Sequence, residues 1–85
     1  MADIYNFYKL PQTTRSQLVL EKGTFLAKRH IGDNKIMLFY MDGIYVEVWY
    51  CFSLKKVIMV NGYENDYCLN AYIDKINIDD LFEYL

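Results

Sequence analysis

The chain predicts an α+β fold, an antiparallel meander sheet of four to five strands with C-terminal helices packed on one face. Three observations carry that reading. Two runs of β-branched and aromatic residues, 35–41 and 44–53, are split by Asp42-Gly43, the dipeptide that suits a two-residue hairpin turn because both central positions need positive φ. A further strand-like run lies on each side of that hairpin. Beyond Asn61-Gly62 the apolar period changes from two to about 3.6.

The 85 residues allow one domain, 1–85, divided into an N-terminal arm or short helix (1–12), a sheet (17–61) and a helical segment (65–85). With 54% hydrophobic and 18% aromatic residues the composition is that of a globular chain, not a disordered one.

In the first segment Ile4, Phe7 and Tyr8 fall at one-turn spacing before Pro11, which fits a short helix capped by Asp3 or an extended arm. Its aromatics, Tyr5, Phe7 and Tyr8, should dock on the chain's own sheet or on a second copy. Residues 13–23 read two ways. Thr14 with Gln17 makes a capping box and Gly23 a helix stop, whereas residues 17–21 alternate polar and apolar and suit a strand. The strand is the preferred reading. Residues 24–31 form the next strand, ending at Gly32-Asp33-Asn34. A three-residue loop there places Phe25, Ala27, Arg29 and Ile31 on the aliphatic side of the hairpin; a two-residue loop reverses this. The first arrangement is preferred because it buries more apolar surface.

The hairpin turn fixes cross-strand partners. Met41 faces Ile44, Phe39 faces Val46, Met37 faces Val48 and Lys35 faces Tyr50 on an aliphatic side. Tyr40 meets Tyr45, Leu38 meets Glu47 and Ile36 meets Trp49 on an aromatic side that carries one carboxylate. A four-residue connection, 53–56, then pairs Phe52 with Val57, Tyr50 with Met59 and Trp49 with Val60, and Asn61-Gly62 ends the sheet. Cys68, Leu69, Tyr72, Ile73 and Ile76 make one stripe of a helix from about Asn65 to Lys75, capped by Asn65 or Asp66. A second short helix from Asn77 or Asp79 carries Leu81, Phe82 and Leu85. These helices are expected to cover the aliphatic face.

The formal charge of -2 argues against general binding of nucleic acid or anionic membranes. Charge is uneven, however: residues 1–63 hold eight Lys/Arg and five Asp/Glu, and residues 64–85 hold six Asp/Glu and only Lys75. The acidic segment reads as a solvated helix face, or as a partial neutraliser of the Lys28-Arg29 and Lys55-Lys56 regions. No N-terminal segment has the layout of a signal peptide, and two cysteines make no disulfide framework. A cytoplasmic location with Cys51 and Cys68 reduced is expected. The longest apolar stretch is interrupted by Asp42 and Glu47, so no membrane-spanning helix is expected.

No motif for catalysis, metal or nucleotide stands out. His30 is the only histidine and has no Ser or Cys at a diagnostic spacing. The Cys and His positions lack zinc-ligand spacing, and Asp79-Asp80 with Glu83 reads as the acidic first turn of a helix. No cofactor, no metal and no small-molecule ligand are expected. Glu47 stands out because it lies mid-strand among Ile, Tyr, Val, Trp and Cys; buried, it must be paired or hydrogen-bonded. Lys28, His30 or a tyrosine hydroxyl could serve.

The functional expectation is a non-enzymatic interaction or regulatory module, a homodimer or partner binder using the aromatic face: Ile36, Leu38, Tyr40, Tyr45, Glu47 and Trp49. The first alternative is single-stranded nucleic-acid binding, with Tyr40, Tyr45 and Trp49 stacking bases and Lys28 and Lys35 holding phosphates. The acidic balance and the lack of an RNP-like run weigh against it. The second is a small enzyme built on His30, Glu47 and Cys51, which requires those groups to converge.

Overall fold

The computed structural model describes residues 4–73; the expected second C-terminal helix lies outside them. Two helices, α1 (Ile4–Lys9) and α2 (Gln12–Lys22), precede four strands, β1 (Thr24–Ile31), β2 (Asn34–Met41), β3 (Ile44–Cys51) and β4 (Lys56–Tyr63), and a 3-10 helix (Tyr67–Tyr72) follows. The strands form one antiparallel sheet in the order β1-β2-β3-β4. The fold is α+β with a four-stranded meander.

Residues 13–22 are helical, contrary to the preferred strand. Pro11 separates α1 from α2, and its carbonyl accepts the Arg15 N–H at 2.9 Å, which starts the second helix. Ser16 and Val19, three apart, are the residues α2 buries, while Leu20 is left exposed. The alternation at 17–21 is therefore incidental, and burial at helical spacing decides the conformation. Gly23 closes α2 through an N–H bond to the Val19 carbonyl at 2.7 Å. A Cβ at this position would stand 2.5 Å from the Val19 carbonyl oxygen and 3.3 Å from Phe39 Cβ. The chain can turn from helix into β1 here because that atom is missing.

The central hairpin has the register its turn dictates, from Lys35 opposite Tyr50 to Met41 opposite Ile44. Asp42 (φ 50) and Gly43 (φ 91) adopt the positive values of a type I′ turn.

The two flanking registers differ from expectation. Ile31 pairs with Asn34, so the first connection is the two-residue loop Gly32-Asp33, not three residues. Arg29 consequently sits opposite Ile36 and Ala27 opposite Leu38, on the aromatic side. Lys28 and His30 pair with Met37 and Lys35 on the aliphatic side. A bulge between Phe25 and Ala27 then restores Phe25 to the side of Phe39, where the rings meet edge-on at 5.7 Å.

On the other flank Val60 faces Val48, Met59 faces Trp49 and Val57 faces Tyr50, with an irregularity between Trp49 and Tyr50. The expected partners Phe52–Val57, Tyr50–Met59 and Trp49–Val60 do not form. The connection closes between Cys51 and Lys56, with Lys55 at φ 55, and Val60 thereby enters the core at 1% exposure. β4 also continues through Asn61 and Gly62, which had been expected to end it. The Tyr8 hydroxyl explains how: it receives the Gly62 N–H at 2.8 Å and donates to the Gly62 carbonyl at 3.1 Å. Gln12 donates to the Val57 carbonyl at 3.2 Å. The outer edge of β4 is thus partly satisfied by the chain's own N-terminal segment.

The aliphatic face is covered by the N-terminal helices and not by the segment after β4. α1 and α2 pack on the aliphatic face, where Phe7, Val19, Phe39, Met41, Ile44, Val46, Val48 and Val60 form one core. Arg15, placed over the Phe7 and Tyr8 rings at 6.0 and 5.3 Å, ties the two helices together. The 3-10 helix is shorter than the expected 65–75 span. It lies on the aromatic face and forms a second core in which Tyr72 joins Ala27, Ile36, Leu38 and Tyr45. Among the described residues no helix is long and apolar enough to cross a membrane.

Candidate functional site

Two features of the sheet bear on function: a buried carboxylate on one face and an uncovered corner of the other. Glu47 is 3% exposed in the middle of β3, and three side chains meet it. Tyr72 donates to Oε2 at 2.5 Å, Tyr63 to Oε1 at 3.1 Å, and Arg29 Nη2 reaches Oε2 at 3.2 Å. Each donor arrives from a different element. The two-residue Gly32-Asp33 turn delivers Arg29, the continuation of β4 past Gly62 delivers Tyr63, and the 3-10 helix delivers Tyr72. The Arg29 guanidinium also lies over the Trp49 and Tyr72 rings at 5.7 and 5.2 Å. A buried carboxylate is tolerable only with such partners.

The electrostatics show groups held in one protonation state. Burial, then the hydrogen bond to Glu47, pushes the Tyr72 phenol well above its ordinary value. Burial and the Glu47 charge raise Tyr63 in the same way. Burial, followed by the Glu47 charge, pushes the Cys68 thiol up to about 11. Burial works against the Arg29 charge, but its bonds to Tyr72 and Glu47 outweigh that and raise it. These phenols and this thiol stay protonated at neutral pH, which disfavours a thiolate or phenolate nucleophile. Among the described residues Arg29 Nε, Tyr45 Oη and Trp49 Nε1 are buried without a hydrogen-bond partner. Arg15 Nε, between α1 and α2, is a fourth; each such orphan costs about 1–3 kcal/mol.

The residues expected at an intermolecular interface are mostly buried within the chain. Ile36, Leu38, Tyr45 and Glu47 are all below 5% exposure, and only Tyr40 and Trp49 keep partial exposure. The face expected to need a second copy is covered by the Tyr67–Tyr72 helix, because that helix carries the phenol that Glu47 requires. The nucleic-acid arrangement built on that face separates likewise. Tyr45 is buried against Tyr40, with centroids 5.2 Å apart, and Lys28 and Lys35 lie on the opposite side of the sheet.

His30, Glu47 and Cys51 are dispersed. His30 pairs with Lys35 on the face opposite Glu47. Cys51 lies four residues along β3 from Glu47, about 13 Å at strand rise, with its thiol 3.7 Å from Asp33 Oδ2 and 3.4 Å from Ser53 Oγ. Among the described residues no three His, Cys, Asp or Glu side chains converge to hold a metal.

The uncovered corner lies on the α2 side of the sheet, at the end where the β1–β2 and β3–β4 turns meet, and extends along β1 as an open strip to Phe25 at the far end of that strand. The two turns are joined through Asp33, whose carbonyl accepts the Phe52 N–H at 2.9 Å and whose carboxylate accepts the Ser53 N–H at 2.7 Å. Those bonds to Ser53 hold the Asp33 carboxyl below its ordinary value. Phe52 is thereby placed against two strands. Its ring stacks on His30 at 6.3 Å with 9° between planes and meets Tyr50 edge-on at 5.6 Å. Lys35 stands between Tyr50 and His30 in the register, and Lys28 and Lys35 share a shallow depression with Phe25. Phe25 and Phe52 keep 53% and 47% exposure. No Asp or Glu occupies this face of the four strands. Sequence reading missed this group because its assembly depends on the length of two turns. A separate cleft of about 330 Å³ opens beside α1 and α2, with Phe7, Leu18 and Met41 in its wall and Lys22 and Asp42 among its polar residues.

No family model, curated protein or solved structure matches this chain.

Proposed function

We propose that the chain is a small non-enzymatic interaction module that docks through the uncovered sheet corner formed by Phe25, Lys28, His30, Lys35, Tyr50 and Phe52. The observation that carries this reading is the combination of two half-exposed phenylalanine rings with lysines on a strand face that has no carboxylate. Exposed aromatics beside cations are the anchors from which binding surfaces are made. The separation of His30, Glu47 and Cys51 supports a binding role over catalysis. Two unpaired thiols, Cys51 and Cys68, support a cytoplasmic location.

Self-association, expected for the aromatic face, is better supported at this corner, where a second copy could present the acidic segment 64–85. Sedimentation velocity of the full chain, together with amide chemical-shift mapping against acidic polymers, tests the reading. Shifts clustered at residues 25–35 and 50–52 are expected, from self-association or from an added polymer. A monomer whose corner responds to no polymer tried would refute it.

A further inference from the structure

We propose that this corner is a short platform for single-stranded nucleic acid, with bases stacking on Phe25 and Phe52 and phosphates held by Lys28 and Lys35. The proposal rests on the docking reading above and assigns its ligand.

Three features favour a polyanion bearing flat rings. The Phe52 ring is braced by His30 and Tyr50 yet remains nearly half open, so it is an ordered surface for stacking. Phe25 offers a second open ring, braced by Phe39, about 16 Å along β1 from the His30–Phe52 stack. Lys28 and Lys35 lie between the two rings, over one depression. Aromatics spaced along a strand with lysines between them suit bases two or three nucleotides apart and the phosphates that join them. An aliphatic partner would need none of the cations, and an acidic peptide would make less use of the rings.

The net charge of -2 is not concentrated on this strand face; the one carboxylate in the adjoining turn, Asp33, is engaged by the Ser53 N–H at 2.7 Å. Glu47 is paired with Arg29 on the other face. Asp42, Glu64 and Asp66 belong to the end of the sheet away from the His30–Phe52 stack and Lys35, because Tyr63 pairs with Tyr45 whereas Lys56 pairs with Cys51; only Phe25 of the platform lies toward that end. Eight residues of strand separate the ends by about 25 Å, well beyond the screening length of about 10 Å at 0.1 M salt.

The test is fluorescence anisotropy of a labelled oligothymidine and an oligouridine of about twelve nucleotides, titrated with the full chain, alongside amide shift mapping. The parent chain is expected to bind. Two neutralised phosphates give a single-strand salt slope near -1.4, which is about a sevenfold loss of affinity between 50 and 200 mM salt. Phe52→Ala is expected to weaken binding about tenfold, and Lys28→Glu with Lys35→Glu by at least about tenfold. Leu20→Gln, on the exposed face of α2, should leave affinity unchanged. Thermal unfolding of each variant confirms the fold, and shift mapping on the parent chain decides the site without any variant.

No binding by the parent chain, binding insensitive to the double lysine change in a folded variant, or equal binding of a blunt duplex would overturn the proposal. If polyglutamate or a second copy shifts the same corner and oligonucleotides do not, the ligand assignment falls while the docking reading stands. If nothing shifts it, both fall.

Discussion

Tyr72→Phe is the most selective perturbation of the Glu47 cluster, because it deletes one oxygen and leaves the ring that fills the second core. The hydroxyl donates to Glu47 Oε2 at 2.5 Å from a side chain with 0% exposure. A hydrogen bond to a charged acceptor contributes about 1.5–3 kcal/mol net. Arg29 and Tyr63 remain in place to hold the carboxylate, so the expected loss is about 2 kcal/mol. In a chain of this length each kcal/mol moves Tm by roughly 4–8 °C, which makes the expected drop about 8–16 °C. Urea unfolding, followed by Trp49 fluorescence and far-ultraviolet circular dichroism, gives the same quantity independently. In a Glu47→Gln background the acceptor is neutral, so the same change should cost about half as much. Tyr63→Phe, acting on a longer bond of 3.1 Å from a half-buried side chain, should cost about 1 kcal/mol. A Tyr72→Phe loss below about 0.5 kcal/mol, or an equal loss with and without the Glu47 charge, would refute the role given to this bond.

Three further outcomes are expected. Gly23→Ala should destabilise by about 1–3 kcal/mol in denaturant unfolding, because the added Cβ meets the Val19 carbonyl and the Phe39 Cβ. Lys55→Gly should leave the fold intact and raise stability by up to about 1 kcal/mol, since Lys55 holds a left-handed φ of 55 in the β3–β4 turn. Stability should fall at both pH extremes, each through named groups. Asp33 has a lowered folded pKa, so its contribution is present above its unfolded value near 4 and is lost as pH falls through the folded value. Asp33→Ala should flatten that acid limb. Cys68, Tyr63 and Tyr72 have raised folded values, so their contributions are intact below the unfolded values, near 8.5 for the thiol and 10 for the phenols. They are lost as pH rises through the folded values, about 11 for Cys68. Cys68→Ala should flatten the first part of that alkaline limb in thermal unfolding measured from about pH 8.5 to 11.

What could be read from the sequence was what local chemistry determines. Asp42-Gly43 specifies its own turn geometry, and every partner in the β2–β3 hairpin follows from it. Register beyond the neighbouring turns was not legible in this way. The choice between a two- and a three-residue loop after Ile31 turns on whether Arg29 reaches Glu47, eighteen residues away, and on a bulge at Leu26 that allows Phe25 to return to the other face. Likewise β4 runs past Asn61-Gly62 because Tyr8, fifty-four residues earlier, satisfies the Gly62 backbone.

Glu47 was recognisable as a residue needing partners, and a tyrosine hydroxyl was among those anticipated. Which helix would supply it was not. Amphipathic segments at both ends of the chain declare that they will cover a sheet, but nothing in their pattern says which face. α1 and α2 took the aliphatic side and the segment carrying Tyr72 took the other, which buried Tyr45, left Tyr40 and Trp49 only partly open, and left Phe25 and Phe52 exposed at the margin of the aliphatic face.

Solvent paramagnetic relaxation of side-chain protons, measured on the dilute full chain with a soluble gadolinium chelate, tests directly whether the sheet is covered on both faces by its own chain except at this corner. Strong relaxation is expected at the Phe25, His30 and Phe52 rings, and protection at Tyr45, Val48 and Tyr72. Tyr72 relaxed as strongly as Phe52, or Phe25 and Phe52 protected as fully as Val48, would contradict it.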